Sequence, residues 1–254
     1  MQVQHKESKD EVIEDLRRQV NELTAANLSL TEELERKEKF TAMIAHELGG
    51  PLTSIISYAQ MLGKPNPREE FIRRGTNVIV SQARRLDRLV HDLLDASRLS
   101  SGQFTLCRKS CDLVALVKEV VDQLRPVAPY HHFVIDVPDT PVIGNWDSGR
   151  LQQTLGNLLD NAIKYSDPNT PITLRITTTQ DSVHISVHNQ GASIPAGDIG
   201  QLYRPFVRLP GAEGRQGSGL GLYITKCIVE AHGGVLGVPI AEDQGTTFSF
   251  DLPL

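Results

Sequence analysis

Phe40-Thr-Ala-Met-Ile-Ala-His46-Glu47-Leu48-Gly49-Gly50-Pro51-Leu52-Thr53-Ser54-Ile55 is the stretch from which the rest of the chain can be read. It sets a histidine and a glutamate inside an apolar-periodic helix. Ile44, Leu48, Ile55 and Leu62 continue a seven-residue seam that begins far upstream, and His46 falls outside that seam. The imidazole is therefore expected to face water, where its neutral form is a usable nucleophile at cellular pH. An exposed helical histidine is also an ordinary surface residue. The stretch becomes a site only if something downstream needs an acceptor.

Composition narrows the field. The chain has 254 residues, room for one large or two modest domains, and its 39% apolar and 22% charged content fits a globular protein. A net charge of -5 argues against nucleic acid as a primary partner, because phosphate backbones select basic surfaces. There is no apolar run of about 18 residues and no signal-peptide core at the N-terminus, which points to a cytoplasmic chain without a membrane span. Cys107, Cys111 and Cys227 are too few for a disulfide frame and lack a second pair for a tetrahedral metal site, so they read as structural thiols.

Upstream of His46, Ile13, Leu16, Val20, Leu23, Asn27, Leu30 and Leu34 alternate at spacings of three and four, the pattern of a coiled coil. A polar Asn27 at a seam position favours two parallel strands in fixed register, so a homodimer is expected. Gly49 and Gly50 each cost about 1 kcal/mol in a helix, and Pro51 about 3 kcal/mol, which softens the helix just past the histidine. Breakers from Leu62 to Pro67 end it. A second helix is expected from about Arg68 to Leu99 on the stripe Ile72, Ile79, Leu86 and Leu93. Two helices joined by a short turn pack antiparallel, and two copies make a four-helix bundle. The expected parts are a coiled-coil helix over 1–39, a helical hairpin over 40–100, a linker over 101–110 and a further domain over 111–254.

In that last part, helices are expected at 113–124, 148–165 and 219–232, and strands at 133–137, 142–146, 171–179, 182–188, 234–238 and 246–252. The fold class is thus a coiled coil and dimeric helical bundle followed by an α+β sandwich. On the helix from Leu151 to Ser166, at about 100° per residue, Leu151, Leu155, Leu158 and Ala162 share one arc while Asn157, Asn161 and Lys164 share another. Two amides and a cation suit a magnesium-bound triphosphate, and they equally suit a plain polar face. Gly217-Ser-Gly219-Leu220-Gly221 opens the last helix, where free N–H groups and the positive dipole end can meet phosphate. His188-Asn189-Gln190-Gly191-Ala192-Ser193-Ile194-Pro195 follows a strand and supplies a hydrogen-bonding group and a close-approach glycine for a purine edge.

With those pieces in place, the opening stretch resembles the H-box of sensor histidine kinases, F-x-x-x-x-S/A-H-E-L-R-T-P-L-T-x-I. The match lies at Phe40, His46, Glu47, Leu48, Pro51, Leu52, Thr53 and Ile55. The downstream stretches resemble the N, G1, F and G2 boxes of the same family's Bergerat-type ATP-binding domain, with the F box at Leu202-Tyr203-Arg-Pro205-Phe206-Val-Arg208. The resemblance implies ATP and Mg²⁺ as cofactors, His46 as phosphoacceptor and Glu47 as the base beside it. It implies Asn161 as metal ligand, Asn157 and Lys164 at phosphate and Tyr165 along the base. Asn189, Gly191, Ile194, Phe206, Gly217, Gly219, Leu220 and Gly221 would complete the ATP site, with a lid over 207–218. It further implies autophosphorylation, an upstream sensor, and transfer to an aspartate on a separate response-regulator receiver domain, since no receiver is expected in this chain.

The sequence departs from the family at four positions. Gly49 and Gly50 stand where Arg and Thr or Asn are usual, and Asn189 and Ser193 replace the Asp and second Gly of the G1 box. Weaker ATP binding is expected at Asn189, since charged hydrogen bonds are roughly twice as strong as neutral ones, and poor phosphatase activity at Gly50, which lacks the Thr or Asn side chain that the resemblance implies would position water. The competing reading is a dimeric signalling scaffold with a degenerate nucleotide site.

Overall fold

The structure is a computed structural model that describes residues 2–65, 68–100, 104–209, 217–239 and 245–254. The first three residues of the expected 101–110 linker, most of the 207–218 lid and the Ile13 and Phe40 side chains lie outside the described residues. The chain forms two compact units, 1–86 and 87–254.

In the first unit, α1 runs unbroken over Gln2–Leu62 with Pro51 inside it, and α2 begins at Glu69 in a helix that extends to Ser100. Pro51 has no N–H for the Glu47 carbonyl, yet the helix continues through it. The two helices return antiparallel. Tyr58 stacks on Phe71 with ring centroids 6.3 Å apart, and a Cβ at Gly75 would lie 3.2 Å from the Leu62 side chain. Glu69 and Glu70 at the start of α2 and Arg98 in its last turn complement the helix dipole. Upstream, Leu16, Val20, Leu23, Leu30 and Leu34 are all exposed, so the seam read from sequence is an uncovered apolar stripe within one chain.

The second unit is a sandwich. Its strands are β1 (Lys109–Asp112), β2 (His132–Asp136), β3 (Ile143–Trp146), β4 (Pro171–Thr178), β5 (Ser182–Asn189), β6 (Val235–Gly237) and β7 (Thr246–Pro253); its helices are α3 (Leu113–Leu124), α4 (Ser148–Tyr165) and α5 (Gly221–Ala231). Five strands form one sheet in the order β2-β4-β5-β7-β6, parallel between β2 and β4 and antiparallel elsewhere, while β1 and β3 pair as a separate ribbon. Alternation decides the faces: Val183, Ile185 and Val187 of β5 are buried with Leu151, Leu155, Leu158 and Leu159 of α4 in one core. The opposite face is polar, with Arg175 paired to Asp136 and His184 to Asp251.

Capping fixes where the helices begin. Asp112 accepts from the Val114 N–H and starts α3; Asp147 accepts from the Arg150 N–H and starts α4. Trp146, at the head of α4, is 1% exposed and donates its indole N–H to the Pro253 carbonyl, tying the ribbon to the end of β7. The last turns of α2 join this unit. Asp95 is buried and accepts from Arg150 at 2.6 Å and from Gln153 at 2.8 Å, while Ala96 packs with Leu220, Ile224 and Ile228.

Breaking such a pair leaves an uncompensated charge in a half-buried place. Asp95→Ala is expected to destabilise the second unit by about 3 kcal/mol in denaturant titration and to speed hydrogen exchange over 87–100.

Candidate functional site

His46 is exposed on α1, as the seam predicted. It borders an open cavity of about 300 Å³ lined by Ala45, Glu47, Gly49, Gly50, Pro51 and Arg85. A Cβ added at Gly49 or Gly50 would meet nothing within 4 Å, so the two glycines widen the approach to the imidazole. Glu47 is more enclosed and accepts a bond from Arg85 Nη2 at 2.8 Å. Sequence reading missed Arg85. A signal existed: residues 47 and 85 are 38 apart, each about half that distance from the turn, so an antiparallel hairpin brings them level.

The second constellation is built on α4. Its apolar arc is fully buried, with Leu151, Leu155, Leu158 and Leu159 at 0% exposure, which leaves Asn157, Asn161 and Lys164 half-buried on the other side. Asn157 donates to the Gly221 carbonyl at 3.1 Å and reaches Thr225 at 3.4 Å, so its NH₂ group holds the start of α5. A Cβ at Gly221 would touch the Asn157 amide, and one at Gly217 would lie 3.9 Å from Lys164 Nζ. Lys164 also pairs with Asp160 at 2.5 Å. The polar face of α4 and the glycine run are therefore neighbours.

The remaining boxes are hooked onto this pair. Gly219, with φ of +69°, presents its carbonyl to the Phe206 N–H at 3.0 Å, and a Cβ there would press on the Phe206 backbone. Phe206 is half-buried against the cluster that contains Leu220. Leu220 itself is wholly buried, so its side chain belongs to the core and only its backbone can serve a ligand. At the other end of α4, Ser166 bridges Gly191, and the Asp167 N–H donates to the Gln190 carbonyl at 2.9 Å. A side chain at Gly191 would strike the Tyr165 carbonyl, which brings Tyr165 and the G1 turn side by side. Asn189 is 2% exposed at the end of β5, and Ile194 packs at the core's edge. Ser193 accepts from the Gly245 N–H at 3.4 Å. Thr246, opposite Asn189 in the register, was not singled out from sequence; its hydroxyl donates to the Ala192 carbonyl at 3.1 Å and braces the same turn.

These residues fit a magnesium nucleotide. The glycines give room where a Cβ would collide, Lys164 offers a cation beside them, and the Asn161 amide is a hard oxygen donor of the kind Mg²⁺ takes alongside water. Among the described residues, no group of three or more His, Cys, Asp or Glu could hold a metal by itself.

A hairpin presenting an open histidine, followed by a sandwich whose glycine run opens a helix beside an amide-rich face, defines a two-part phosphotransfer architecture. Comparison with known families bears this out. Residues 36–102 match the family model for the His Kinase A (phospho-acceptor) domain, and residues 146–254 match that for the histidine kinase-, DNA gyrase B- and HSP90-like ATPase. The chain belongs to the sensor histidine kinases of two-component systems. It is 32% identical over 225 residues to the sensor histidine kinase WalK of Bacillus subtilis, an alignment covering 86% of this chain and 37% of that protein. Among solved structures, it is similar to full-length ShkA in complex with AMPPNP (TM-score 0.63, 26% identity, 85% of this chain and 45% of that one). It is also similar to the histidine kinase ThkA in complex with the response regulator TrrA (TM-score 0.64, 25% identity, 87% and 63%). Among the described residues, no helix is long and apolar enough to cross a membrane.

One histidine supports the site from beneath. His232 is 1% exposed; its Nδ1–H donates to the Ile228 carbonyl and its Nε2 accepts from the Asp147 N–H at 3.0 Å, next to the cap of α4. Burial lowers its pKa. A depressed histidine contributes stability above its unfolded pKa of about 6.5, lost as pH falls through the folded value. Thermal unfolding between pH 7 and 5 should show a decline in the native chain that is flattened in His232→Gln; equal slopes in both would remove His232 from the account.

Proposed function

We propose that this chain uses ATP to phosphorylate His46 and then passes the phosphoryl group to an aspartate on a separate response regulator. The observation that carries the reading is an exposed imidazole beside a cavity that also holds a carboxylate. The neighbours in complex with AMPPNP and with a response regulator support the two halves of the cycle. The neutral imidazole attacks the γ-phosphorus through Nε2, the bond to the ADP oxygen breaks, and ADP leaves with the electron pair. Glu47 takes the proton from Nδ1 as the phosphoramidate forms. Asn157, Lys164, Tyr165 and the glycines from 217 to 221 bind and orient the nucleotide, so catalysis is mainly positioning and charge compensation. Asn161 would hold Mg²⁺ in part, and the bound ion would supply charge neutralisation to the triphosphate.

The reading divides the chain into the coiled coil of 1–39, the phosphoacceptor hairpin of 40–100 and the ATP-binding domain of 111–254. The uncovered stripe from Leu16 to Leu34 supports a parallel homodimer, the state in which such a seam is buried. The protein works in the cytoplasm and answers to an upstream sensor. With labelled ATP, native protein should acquire acid-labile label that His46→Ala lacks; label at another residue would refute the assignment.

A second reading, a dimeric signalling scaffold with a degenerate nucleotide site, is favoured by one observation: Asn189 puts a buried neutral amide at the end of β5, where the family usually has an aspartate. If the site is a weakened kinase, Asn189→Asp restores a charge-assisted bond and should tighten Mg-ATP binding by roughly tenfold in calorimetry. No gain, with no binding in either protein, would leave the scaffold.

A further inference from the structure

We propose that Arg85 is a positioning residue for the phosphoacceptor: it holds the Glu47 carboxylate against the His46 cavity from the neighbouring helix. This deepens the kinase reading and rests on it. The argument begins with helix geometry. His46 and Glu47 are consecutive on α1, so their side chains leave the axis about 100° apart, and a glutamate left to itself would sample many rotamers in water. Here it does not face water freely. Glu47 is 16% and Arg85 26% exposed at the side chain, and their 2.8 Å bond crosses from α1 to α2 rather than running along one helix.

Gly49 and Gly50 bring no side chain, and a Cβ at either would meet nothing. Pro51 and Ala45 are apolar. Of the cavity's lining residues, Arg85 is thus the one cation, and the only side-chain hydrogen-bond donor besides His46 itself. The group that fixes the carboxylate must come from α2. A guanidinium suits the task because its planar fork directs donors at a carboxylate oxygen, which a mobile ammonium does less well. The bond to Glu47 uses one of its five N–H donors. The glycine pair leaves the imidazole open to an incoming phosphoryl group, while the carboxylate that must take the Nδ1 proton is fixed from behind.

The test measures His46 labelling from Mg-ATP in the full chain for Arg85→Gln, Arg85→Lys, Glu47→Gln and the double variant Glu47→Gln/Arg85→Gln, with circular dichroism to confirm helix content. Arg85→Gln should lower kcat by about 10- to 100-fold and leave KM for ATP within about twofold, because only the acceptor side is disturbed. Arg85→Lys should recover part of that loss. The decisive measurement is the double variant: if Arg85 acts through Glu47, it is no slower than Glu47→Gln alone. Losses that multiply, or a raised KM with unchanged kcat, would overturn the proposal while His46 labelling in native protein leaves the kinase reading intact. Absence of label in native protein would overturn both.

Discussion

A helix in a two-layer sandwich can give only one face to the core, and α4 shows what that constraint produces. Leu151, Leu155, Leu158, Leu159 and Ala162, with Thr154, take the buried arc, so the side chains at 157, 161 and 164 are turned outward together. The rest of the nucleotide half is arranged around this division. The amide of Asn157 fastens the start of α5, the last turn of α4 fastens Gly191, and Asp147 and His232 fix where the helix begins. Each of these links is a backbone group meeting a partner that only this register of α4 supplies. The apolar face therefore sets the geometry of the polar one.

The elements themselves were legible because their signals are local. The helices at Leu113–Leu124 and Ser148–Tyr165 begin at aspartate caps and end where the apolar period stops, so reading and structure coincide. The breakers after Leu62 likewise mark the end of α1. The short strand Lys109–Asp112 was missed: four residues with two half-buried positions carry no alternation, and the strand exists because β3 lies beside it. Among site residues, the polar arc of α4 and the glycine run were readable from spacing alone. Arg85, Thr246 and the inward turn of Leu220 were not, since each depends on which distant segment is adjacent.

The departures from the family pattern fall where the backbone is most constrained or most open. Asn189 and Ser193 flank a turn locked by Gly191 and Gly245, and both are used structurally: Asn189 is buried at the strand end and Ser193 accepts from Gly245. The turn is thus braced by Ser193 and Thr246 although the family's usual charge is absent from it. Gly49 and Gly50 do the reverse. A Cβ at either position would meet nothing within 4 Å, and both glycines line the cavity beside His46, so what they bear on is access to the imidazole.

The end of α2 adds a coupling that neither half implies by itself. Asp95 binds two residues in the first turns of α4, and Ala96 packs on Leu220, which lies inside the glycine run. One short segment thus braces the nucleotide half at both the start of α4 and the start of α5. Asp92 lies on the same segment, and its carboxyl is pushed up to about 6, first by burial and then by Asp95, with Arg88, His91 and Lys164 opposing. A raised carboxyl binds its proton more tightly folded than unfolded, so between about pH 4 and 6 its contribution falls as pH rises, and above 6 the ionised group works against the docked arrangement. His232 has the opposite slope, losing stability as pH falls below about 6.5. Asp92 sits on the α2 segment and His232 at the cap of α4, so a fall in pH favours the first group's folded surroundings and disfavours the second's.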